Sequence, residues 1–193
     1  MSIYGDRISQ LETVVSKGNT LIQNIIKNET NKNGISPIEY YKSRIKDESS
    51  LIDKLKRKGF PVTMESVYTN IHDLVGFRIV CTYISGVQQV AKAIISNENI
   101  ELIESKDYIK HPKCNGYRSL HLIVKFKDSD VTFEIQLRTI AMDSWASLEH
   151  QMKYKKEIKH KDLIVAELKR CADEMSSTDL TMQAIYDLIK EEN

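Results

Sequence analysis

His72-Asp-Leu-Val-Gly-Phe-Arg-Ile-Val-Cys-Thr-Tyr83 is an apolar stretch that charged residues interrupt. Its length and its β-branched and aromatic residues predict a strand over residues 74–83. Arg78 stands between two apolar runs, where burial of a lone charge would cost several kcal/mol or more. Asp73 is an odd number of residues away, so an ideal strand would point the two side chains in opposite directions. Either Asp73 precedes the strand or Gly76 marks a bulge.

A second stretch, Val131-Thr-Phe-Glu-Ile-Gln-Leu-Arg138, alternates between apolar and polar residues. The period of two residues in a strand places Glu134, Gln136 and Arg138 on one face and apolar side chains on the other. One face therefore builds core, and the other is available to build a site.

Asp73 and Glu134 suggest a divalent cation, because they bring carboxylates from two strands. Mg²⁺ in particular takes one or two protein carboxylates and completes its octahedron with water and substrate phosphates. The alternative is a pair of ordinary salt bridges, for instance between Glu134 and either Arg78 or Arg138. His72-Asp73 also matches the dipeptide of metal-dependent phosphohydrolases, a weak signal without further histidine ligands.

The rest of the chain predicts an α+β fold: a mixed sheet of four or five strands with flanking helices and amphipathic helices at both ends. The predicted elements are a helix over 6–28, a short helix opened by Pro37, a helix capped by Ser49 or Ser50 that ends at Lys58-Gly59, a helix over 86–97, an edge strand over 100–104, a loop over 106–118, an antiparallel hairpin of strands 120–126 and 131–137, and helices over 140–156 and 163–189.

Composition predicts one globular domain, since 193 residues with 41% apolar and 28% charged residues suffice for one core. We divide it into an N-terminal helix and loop (1–36), a catalytic core (37–156) and C-terminal helices (157–193). A net charge of +1 excludes a global basic field, so any basic site must be local. Three widely spaced cysteines fit neither a disulfide framework nor a zinc site, and no run is long enough to span a membrane. These features predict a cytoplasmic protein.

A basic cluster precedes the first strand-like stretch. Arg44 and Lys46 lie two residues apart, as on one face of a strand. They are followed by Lys54, Arg57 and Lys58, whose helical spacings place Lys54 on one face with Arg57 or Lys58. Such a face can bind a polyphosphate through side-chain cations, since the chain has no glycine-rich phosphate loop. The alternative is a solvated helix surface.

The segment from Lys106 to His121 contains the parts of a nucleotide pocket. Tyr117 can stack on a base, Lys106, Lys113 and His121 can meet phosphates, and Asn115 with Gly116 supplies a tight turn. The alternative is a surface loop anchored by a tyrosine. Further along, Trp145, Leu148 and Met152 have helical spacing and are predicted to be core.

Six segments in one order resemble the synthetase domain of the RelA/SpoT-type alarmone synthetases, and more closely the stand-alone small alarmone synthetases. They are Arg44-Ile-Lys46 with Lys54-Leu-Lys-Arg57, Asp73-Leu-Val-Gly-Phe-Arg78, Lys106-Asp-Tyr-Ile, Asn115-Gly-Tyr-Arg-Ser-Leu-His121, Glu134-Ile-Gln-Leu-Arg-Thr139 and Trp145-Ala-Ser-Leu-Glu-His150. The resemblance implies a nucleotidyltransferase fold. It also implies transfer of the β,γ-pyrophosphate of ATP to the 3′-hydroxyl of GDP or GTP, giving ppGpp or pppGpp and AMP.

The resemblance implies a role for each matching residue. Catalysis falls to two carboxylates, Asp73 as an Mg²⁺ ligand and Glu134 as a second ligand and general base toward the 3′-hydroxyl. Binding roles fall to three groups: Arg44 and Arg78 sandwiching adenine; Lys46, Lys54 and Arg57 on the ATP phosphates; and Lys106, Lys113, Asn115, Tyr117, His121 and Gln136 around the guanine nucleotide, with Tyr117 stacked on the base.

The resemblance also implies a homotetramer assembled through the terminal helices. Three questions stay open at this point: whether GDP or GTP is preferred, whether the acceptor is instead the 3′ end of tRNA, and whether the chain is a non-catalytic nucleotide or RNA sensor. RNA as a regulator of the enzyme is likewise undetermined by the sequence. The near-neutral charge argues mildly against a tRNA-sized ligand, which favours a broad basic surface.

Overall fold

The computed structural model of the chain describes residues 3–153 and 160–192. A five-stranded mixed sheet forms its centre, with the strand order β1-β2-β5-β4-β3. The strands are β1 (Ile38–Ile45), β2 (Val75–Cys81), β3 (Ile100–Asp107), β4 (Leu120–Phe126) and β5 (Thr132–Thr139), and the helices are α1 (Ile8–Asn33), α2 (Glu48–Lys58), α3 (Met64–Asn70), α4 (Ile84–Ile95), α5 (Ile140–Lys153) and α6 (Lys161–Glu191). β2 and β5 are parallel, and the other neighbours are antiparallel. The predicted α+β class and the predicted hairpin are confirmed.

One face of the sheet builds the core, as the alternation of β5 predicts. Phe77 on β2 and Phe133 on β5 are fully buried, with ring centroids 5.6 Å apart in an edge-to-face arrangement. Helix α1 covers this face with a buried apolar stripe that includes Leu11, Val14 and Ile22. The apolar stripe of the N-terminal helix is therefore used inside the chain.

The contact between α1 and the sheet depends on Gly18. A Cβ atom added at Gly18 would lie 2.2 Å from Cζ of Phe77. Phe77 is 1% exposed and held by Phe133, so its ring has little room to move. A glycine inside a helix is otherwise unfavourable, and its presence here follows from this close approach.

Replacing Gly18 with alanine is expected to lower the free energy of unfolding by about 1–3 kcal/mol, because the core would be overpacked. On helix propensity alone the same change would raise it by about 1 kcal/mol. Denaturant unfolding shows whether the free energy of unfolding falls or rises. Ser16→Ala, at an exposed site on the same helix, serves as the control and should change stability by about 0.5 kcal/mol or less. A stabilised Gly18→Ala protein would show that Phe77 is not rigidly packed.

The region before β2 differs from the sequence prediction. The short helix expected after Pro37 is wrong, because residues 38–45 form β1 and pair with β2. The next helix is capped by Asp47, whose side chain accepts from the backbone N–H of Ser50, rather than by Ser49 or Ser50. Helix α3 was not predicted; its cap is Thr63, which accepts from the backbone N–H of Ser66.

The position of Asp73 relative to β2 is resolved. The strand begins at Val75, and its pairing with β5 is regular through Gly76 and Arg78. Asp73 therefore precedes the strand, and Gly76 does not mark a bulge.

The C-terminal part also differs from expectation. Trp145 is buried as predicted, but Leu148 and Met152 are 50% and 39% exposed, so their prediction as core is wrong. The predicted end of the core helix at 156, and the boundary between 156 and 157, lie outside the described residues. The prediction of one or two helices over 163–189 is confirmed, since one helix, α6, spans this range.

Among the described residues, none of the helices is long and apolar enough to cross a bilayer. Cys81 is buried, which raises the pKa of its thiol to about 12, while Cys114 and Cys171 are exposed. All three are free thiols, as their spacing predicts. The cytoplasmic location stays a prediction.

Candidate active site

The sheet face opposite α1 carries polar side chains that strand register brings into two rows. In one row Arg44, Gly76 and Glu134 are neighbours on β1, β2 and β5. The second row crosses all five strands, in the order Lys42, Arg78, Gln136, His121 and Lys106. A cation-rich surface with one central carboxylate results.

An open cleft of about 250 Å³ lies over the β1–β2–β5 side of this face. A Cβ atom at Gly76 would meet no atom within 4 Å, so the middle of the cleft floor is bare. The predicted site residues that line the cleft are Arg44, Lys46, Asp73, Arg78, Glu134 and Gln136. The structure therefore brings both predicted catalytic carboxylates to one cleft.

Asp73 is held at the rim of the cleft by two lysines. The backbone N–H of Lys46 donates to the carbonyl of Leu74, which continues the β1–β2 pairing and sets Lys46 beside Asp73. Nζ of Lys46 and Nζ of Lys54 each lie 2.7 Å from one oxygen of the Asp73 carboxylate. Burial acts to raise the pKa of Asp73, but the hydrogen bonds and charges of the two lysines outweigh it and hold the pKa below its usual value.

Glu134 lies at the centre of the polar face, between the side chains of His121 and Gln136. Its Oε1 is 2.9 Å from Nδ1 of His121, and its Oε2 accepts from Nε2 of Gln136 at 2.6 Å. Burial acts to raise the pKa of Glu134, but His121 and the bond from Gln136 more than offset it, so the pKa lies below its usual value. The carboxylate is therefore ionised at neutral pH and able to accept a proton.

Of the salt bridges that the sequence offered as the alternative, those from Glu134 to Arg78 or Arg138 do not form, whereas Asp73 does form salt bridges, with Lys46 and Lys54. Arg78 and Arg138 both pair with Asp143 rather than with Glu134, at 3.3 and 2.9 Å. The Glu134 carboxylate instead contacts His121 and Gln136.

The loop after β3 meets the polar face through Tyr117. The Tyr117 hydroxyl lies 2.8 Å from Nε2 of His121 and accepts from Arg138 at 2.7 Å. His121 thus joins Glu134 to Tyr117 through its two ring nitrogens. Asn115 donates to Glu149 on α5 and accepts from the backbone N–H of Tyr117, which fixes the turn.

Gly116 allows α6 to approach this loop closely. Its φ is +90°, and an added Cβ would lie 2.6 Å from Cβ of Ala172. Arg118 strengthens the same contact by donating to the carbonyl of Ala172 and to the carboxylate of Asp173. The loop therefore takes its shape from both α5 and α6.

Three predicted binding residues lie further from the cleft. Lys113 is exposed, and its Nζ lies 4.5 Å from the centroid of the Tyr108 ring and 4.9 Å from that of Tyr117. Lys106 pairs with Glu104 on the edge strand. Arg57 is exposed on α2, three residues beyond Lys54. Their predicted contacts with phosphates remain predictions.

The donor chemistry of the cleft fits a magnesium ion. Asp73 and Glu134 offer hard oxygen ligands, and their charges interact across the cleft. Within residues 3–153 and 160–192 no group of three or more acidic, histidine or cysteine side chains could hold a metal. An ion that takes only two carboxylates and fills its other positions with water and phosphates suits this set, as Mg²⁺ does.

His121 is expected to control the ionisation of Glu134. Replacing His121 with alanine removes the group that does most to lower the pKa of Glu134, so that pKa should rise. The carboxylate would then take up its proton at a higher pH, and the acidic limb of the pH profile of kcat/KM should move upward. Tyr117→Phe is the control, because it removes the other partner of His121 and should leave that limb in place. An unmoved limb in His121→Ala would contradict this coupling.

Sequence reasoning missed Asp143 and Tyr40, and it considered Arg138 only as a salt-bridge partner of Glu134 on the same strand face. Asp143 binds Arg78, Arg138 and the Tyr40 hydroxyl. The one available signal is an acidic residue within the apolar segment Ile140-Ala-Met-Asp-Ser-Trp145.

Comparison with known proteins gives a consistent match. A family model described as "Region found in RelA / SpoT proteins" matches residues 43–159. The chain is 43% identical over 156 residues to the GTP pyrophosphokinase YwaC of Bacillus subtilis (strain 168), covering 77% of this chain and 74% of the relative. The small alarmone synthetase 1 of B. subtilis bound to its product pppGpp superposes with a TM-score of 0.82 at 27% identity, covering 95% of this chain and 99% of the other. A structure of that synthetase bound to AMPCPP gives a TM-score of 0.74 at 27% identity, with 94% of each chain covered.

Proposed function

Since the chain belongs to the RelA/SpoT family, we propose that it is a small alarmone synthetase that transfers the β,γ-pyrophosphate of ATP to the 3′-hydroxyl of GDP or GTP. The products are AMP and ppGpp or pppGpp. One observation carries this proposal: Glu134, an ionised carboxylate, lies between the arginine-lined cleft and the Tyr117 loop. A base between two nucleotide sites is the arrangement that this transfer needs.

Glu134 acts as the general base. It accepts the proton of the ribose 3′-hydroxyl while that oxygen attacks the β-phosphorus of ATP. The bond between the β-phosphorus and the oxygen that bridges it to the α-phosphorus breaks, and AMP leaves with that oxygen. The hydrogen bonds from His121 and Gln136 hold the carboxylate in place. A base with a depressed pKa stays ionised under neutral conditions and is ready for each turnover.

ATP binds over β1 and β2. Arg44 and Arg78 line the cleft, and their planar guanidinium groups are suited to stacking on the two faces of adenine. Lys46, Lys54 and Arg57 carry the charge that the triphosphate needs. Lys46 and Lys54 lie on both sides of Asp73, so cations and carboxylate are preorganised together.

The guanine nucleotide binds on the β4 side, against the loop after β3. Tyr117 stacks on guanine with Asn115 beside it, and Lys106, Lys113 and His121 contact its phosphates. Gln136 lies between the two nucleotides and orients the acceptor. This assignment is supported by the link from Tyr117 through His121 to Glu134, because a nucleotide stacked on Tyr117 would lie near the proposed base.

Asp73 and Glu134 would hold Mg²⁺, which when bound supplies neutralisation of the charge that develops on the phosphates. Both oxygens of Asp73 accept from lysines. A cation bound there would therefore share or replace one of those bonds.

The test is to supply ATP and Mg²⁺ with GDP, GTP or tRNA in separate reactions and to measure AMP and the modified acceptor. AMP formed only with GDP or GTP, together with ppGpp or pppGpp, is the expected result. AMP formed only with tRNA would show that tRNA is the acceptor and would contradict synthesis of ppGpp or pppGpp. Absence of AMP in all three reactions would overturn it.

The assembly we propose is a homotetramer formed through α6. This helix exposes large apolar side chains along its length: Leu163, Val165, Leu180, Met182, Ile185 and Leu188. A single helix with so much exposed apolar surface is typical of an element that a partner covers. Native mass spectrometry of the unsubstituted protein should give four times the chain mass of 22.3 kDa, and a monomer at micromolar concentration would contradict this assembly.

A further inference from the structure

A single buried carboxylate, Asp143, connects the two sides of the cleft. It lies in the first turn of α5, directly after β5, and its side chain is 8% exposed. Its Oδ1 accepts from Arg138 at 2.9 Å and lies 3.3 Å from a terminal nitrogen of Arg78. Its Oδ2 accepts from the Tyr40 hydroxyl at 2.7 Å. Both oxygens are thus engaged by groups from three strands.

Arg78 and Arg138, the two arginines that contact Asp143, extend to different parts of the site. Arg78 is 37% exposed and lines the cleft beside Arg44. Arg138 is buried and donates its second terminal nitrogen to the Tyr117 hydroxyl at 2.7 Å and to Gln136 at 2.9 Å. Its guanidinium carbon also lies 5.2 Å from the centroid of the Tyr117 ring. Asp143 therefore contacts the adenine side directly and the guanine side through Arg138.

The charges around Asp143 show what its carboxylate contributes to the site. Two guanidinium groups face Asp143, and the Tyr40 hydroxyl is the third contact. Burial raises the pKa of Tyr40, and the bond to Asp143 raises it further, so this contact donates as a neutral hydroxyl. Without the carboxylate, Arg138 would be a buried charge with no acidic partner among the groups that contact it. Arg78 would lose the contact that fixes its position over the cleft.

We propose that Asp143 is a positioning residue that aligns the adenine-stacking Arg78 and the guanine-stacking Tyr117 at the same time. This inference rests on the proposed function, because it assigns the two sides of the cleft to the two nucleotides. Asp143 is buried and is not among the residues that line the cleft. Its effect reaches ATP through Arg78 and reaches GDP or GTP through Arg138 and the Tyr117 hydroxyl.

The first experiment measures binding of AMPCPP and of GDP, separately, to Asp143→Asn. Asparagine keeps the shape but removes the charge, and each dissociation constant is expected to rise about tenfold, as for a lost hydrogen bond between charged groups. Asp179→Asn is the matched control, since Asp179 is also buried but accepts from Thr139 outside the cleft. Unchanged dissociation constants in folded Asp143→Asn would overturn the inference.

The second experiment separates positioning from general loosening of the structure. In a Tyr117→Phe background the hydroxyl that Arg138 binds is absent, so Asp143→Asn should raise the GDP dissociation constant about threefold or less. Its effect on AMPCPP should stay about tenfold, because Arg78 is unaffected. An equal effect on GDP in both backgrounds would contradict the route through Arg138.

If Asp143→Asn does not fold, Tyr40→Phe keeps the inference testable. It removes the bond to Oδ2 alone and is expected to weaken both nucleotides two- to fivefold, whereas unchanged binding of both would overturn the inference. AMP formation by the unsubstituted protein reports on the proposed function by itself. If the unsubstituted protein makes AMP and Asp143→Asn binds both nucleotides normally, the proposed function stands and only this inference fails.

Discussion

Replacing Glu134 with glutamine is expected to lower the rate of AMP formation about a hundred- to ten-thousandfold, the contribution typical of a general base. Glutamine keeps the size and accepts a hydrogen bond, but it cannot take the proton from the 3′-hydroxyl. The KM values for both nucleotides should change far less than kcat, because the arginines, lysines and tyrosine that bind them remain. Steady-state kinetics with separate variation of ATP and GDP measures both effects.

The control is Glu101→Gln. Glu101 is also a carboxylate on a strand and pairs with Lys125, on the far side of the hairpin from the cleft. It should leave kcat within about twofold, since an exposed ion pair contributes little. A Glu134→Gln protein with normal AMP formation would remove Glu134 as the base. Nucleotide binding without AMP formation in the unsubstituted protein would instead favour a non-catalytic sensor.

Replacing Asp73 with asparagine is expected to have the next largest effect, a loss of kcat of about a hundred- to a thousandfold, as when one electrostatic group is removed from a reaction centre. Two consequences combine here. The cleft loses one of the two carboxylates proposed to hold Mg²⁺, and Lys46 and Lys54 lose the group that holds them in place.

The dependence on magnesium identifies which consequence dominates. If Asp73 holds the ion, the Mg²⁺ concentration that gives half-maximal rate should rise in Asp73→Asn. Asp128→Asn is the matched control, because Asp128 also binds a lysine, Lys17, but on the β4–β5 turn. An unchanged magnesium dependence with reduced kcat would mean that Asp73 acts only by orienting its lysines.

The charge of Asp73 also makes a pH prediction for stability. Its pKa is depressed in the folded protein by Lys46 and Lys54 despite burial. The ionised group therefore stabilises the fold above the unfolded pKa of about 3.9, and this contribution is lost as the pH falls through the lower folded pKa. Asp73→Asn should accordingly lose stability at neutral pH but differ little from the unsubstituted protein in strong acid.

Parts of the fold that depend on local pattern could be predicted from the sequence. The alternation in β5 correctly separates Phe133 from Glu134, since a strand's period is fixed and one face must be buried. Of β1, only the end around Arg44 was treated as a strand, because the preceding residues favour a strand only once β2 offers backbone partners. The pattern before β2 likewise left the orientation of Asp73 undecided between two alternatives, and the start of the strand at Val75 decides it.

The contacts within the site depend on long-range geometry, which local patterns do not contain. Lys46 and Lys54 looked like a free phosphate-binding surface, yet both bind Asp73, 27 and 19 residues away. Asp143 had no periodic signal, since its partners come from three strands that are separated in the sequence. His121 was predicted to meet phosphates, and its bonds to Glu134 and Tyr117 became visible only when β4 and β5 were paired.

Transfer of the β,γ-pyrophosphate can be tested by following the β-phosphorus of ATP. The protein is incubated with Mg²⁺, GDP and ATP labelled at the β-phosphate, and the products are separated and quantified. We predict that AMP and ppGpp form in equal amounts. AMP should carry no label, and the label should lie in the 3′-diphosphate of ppGpp. Label recovered in ADP or in free phosphate, or AMP formed at the same rate without GDP, would contradict this prediction.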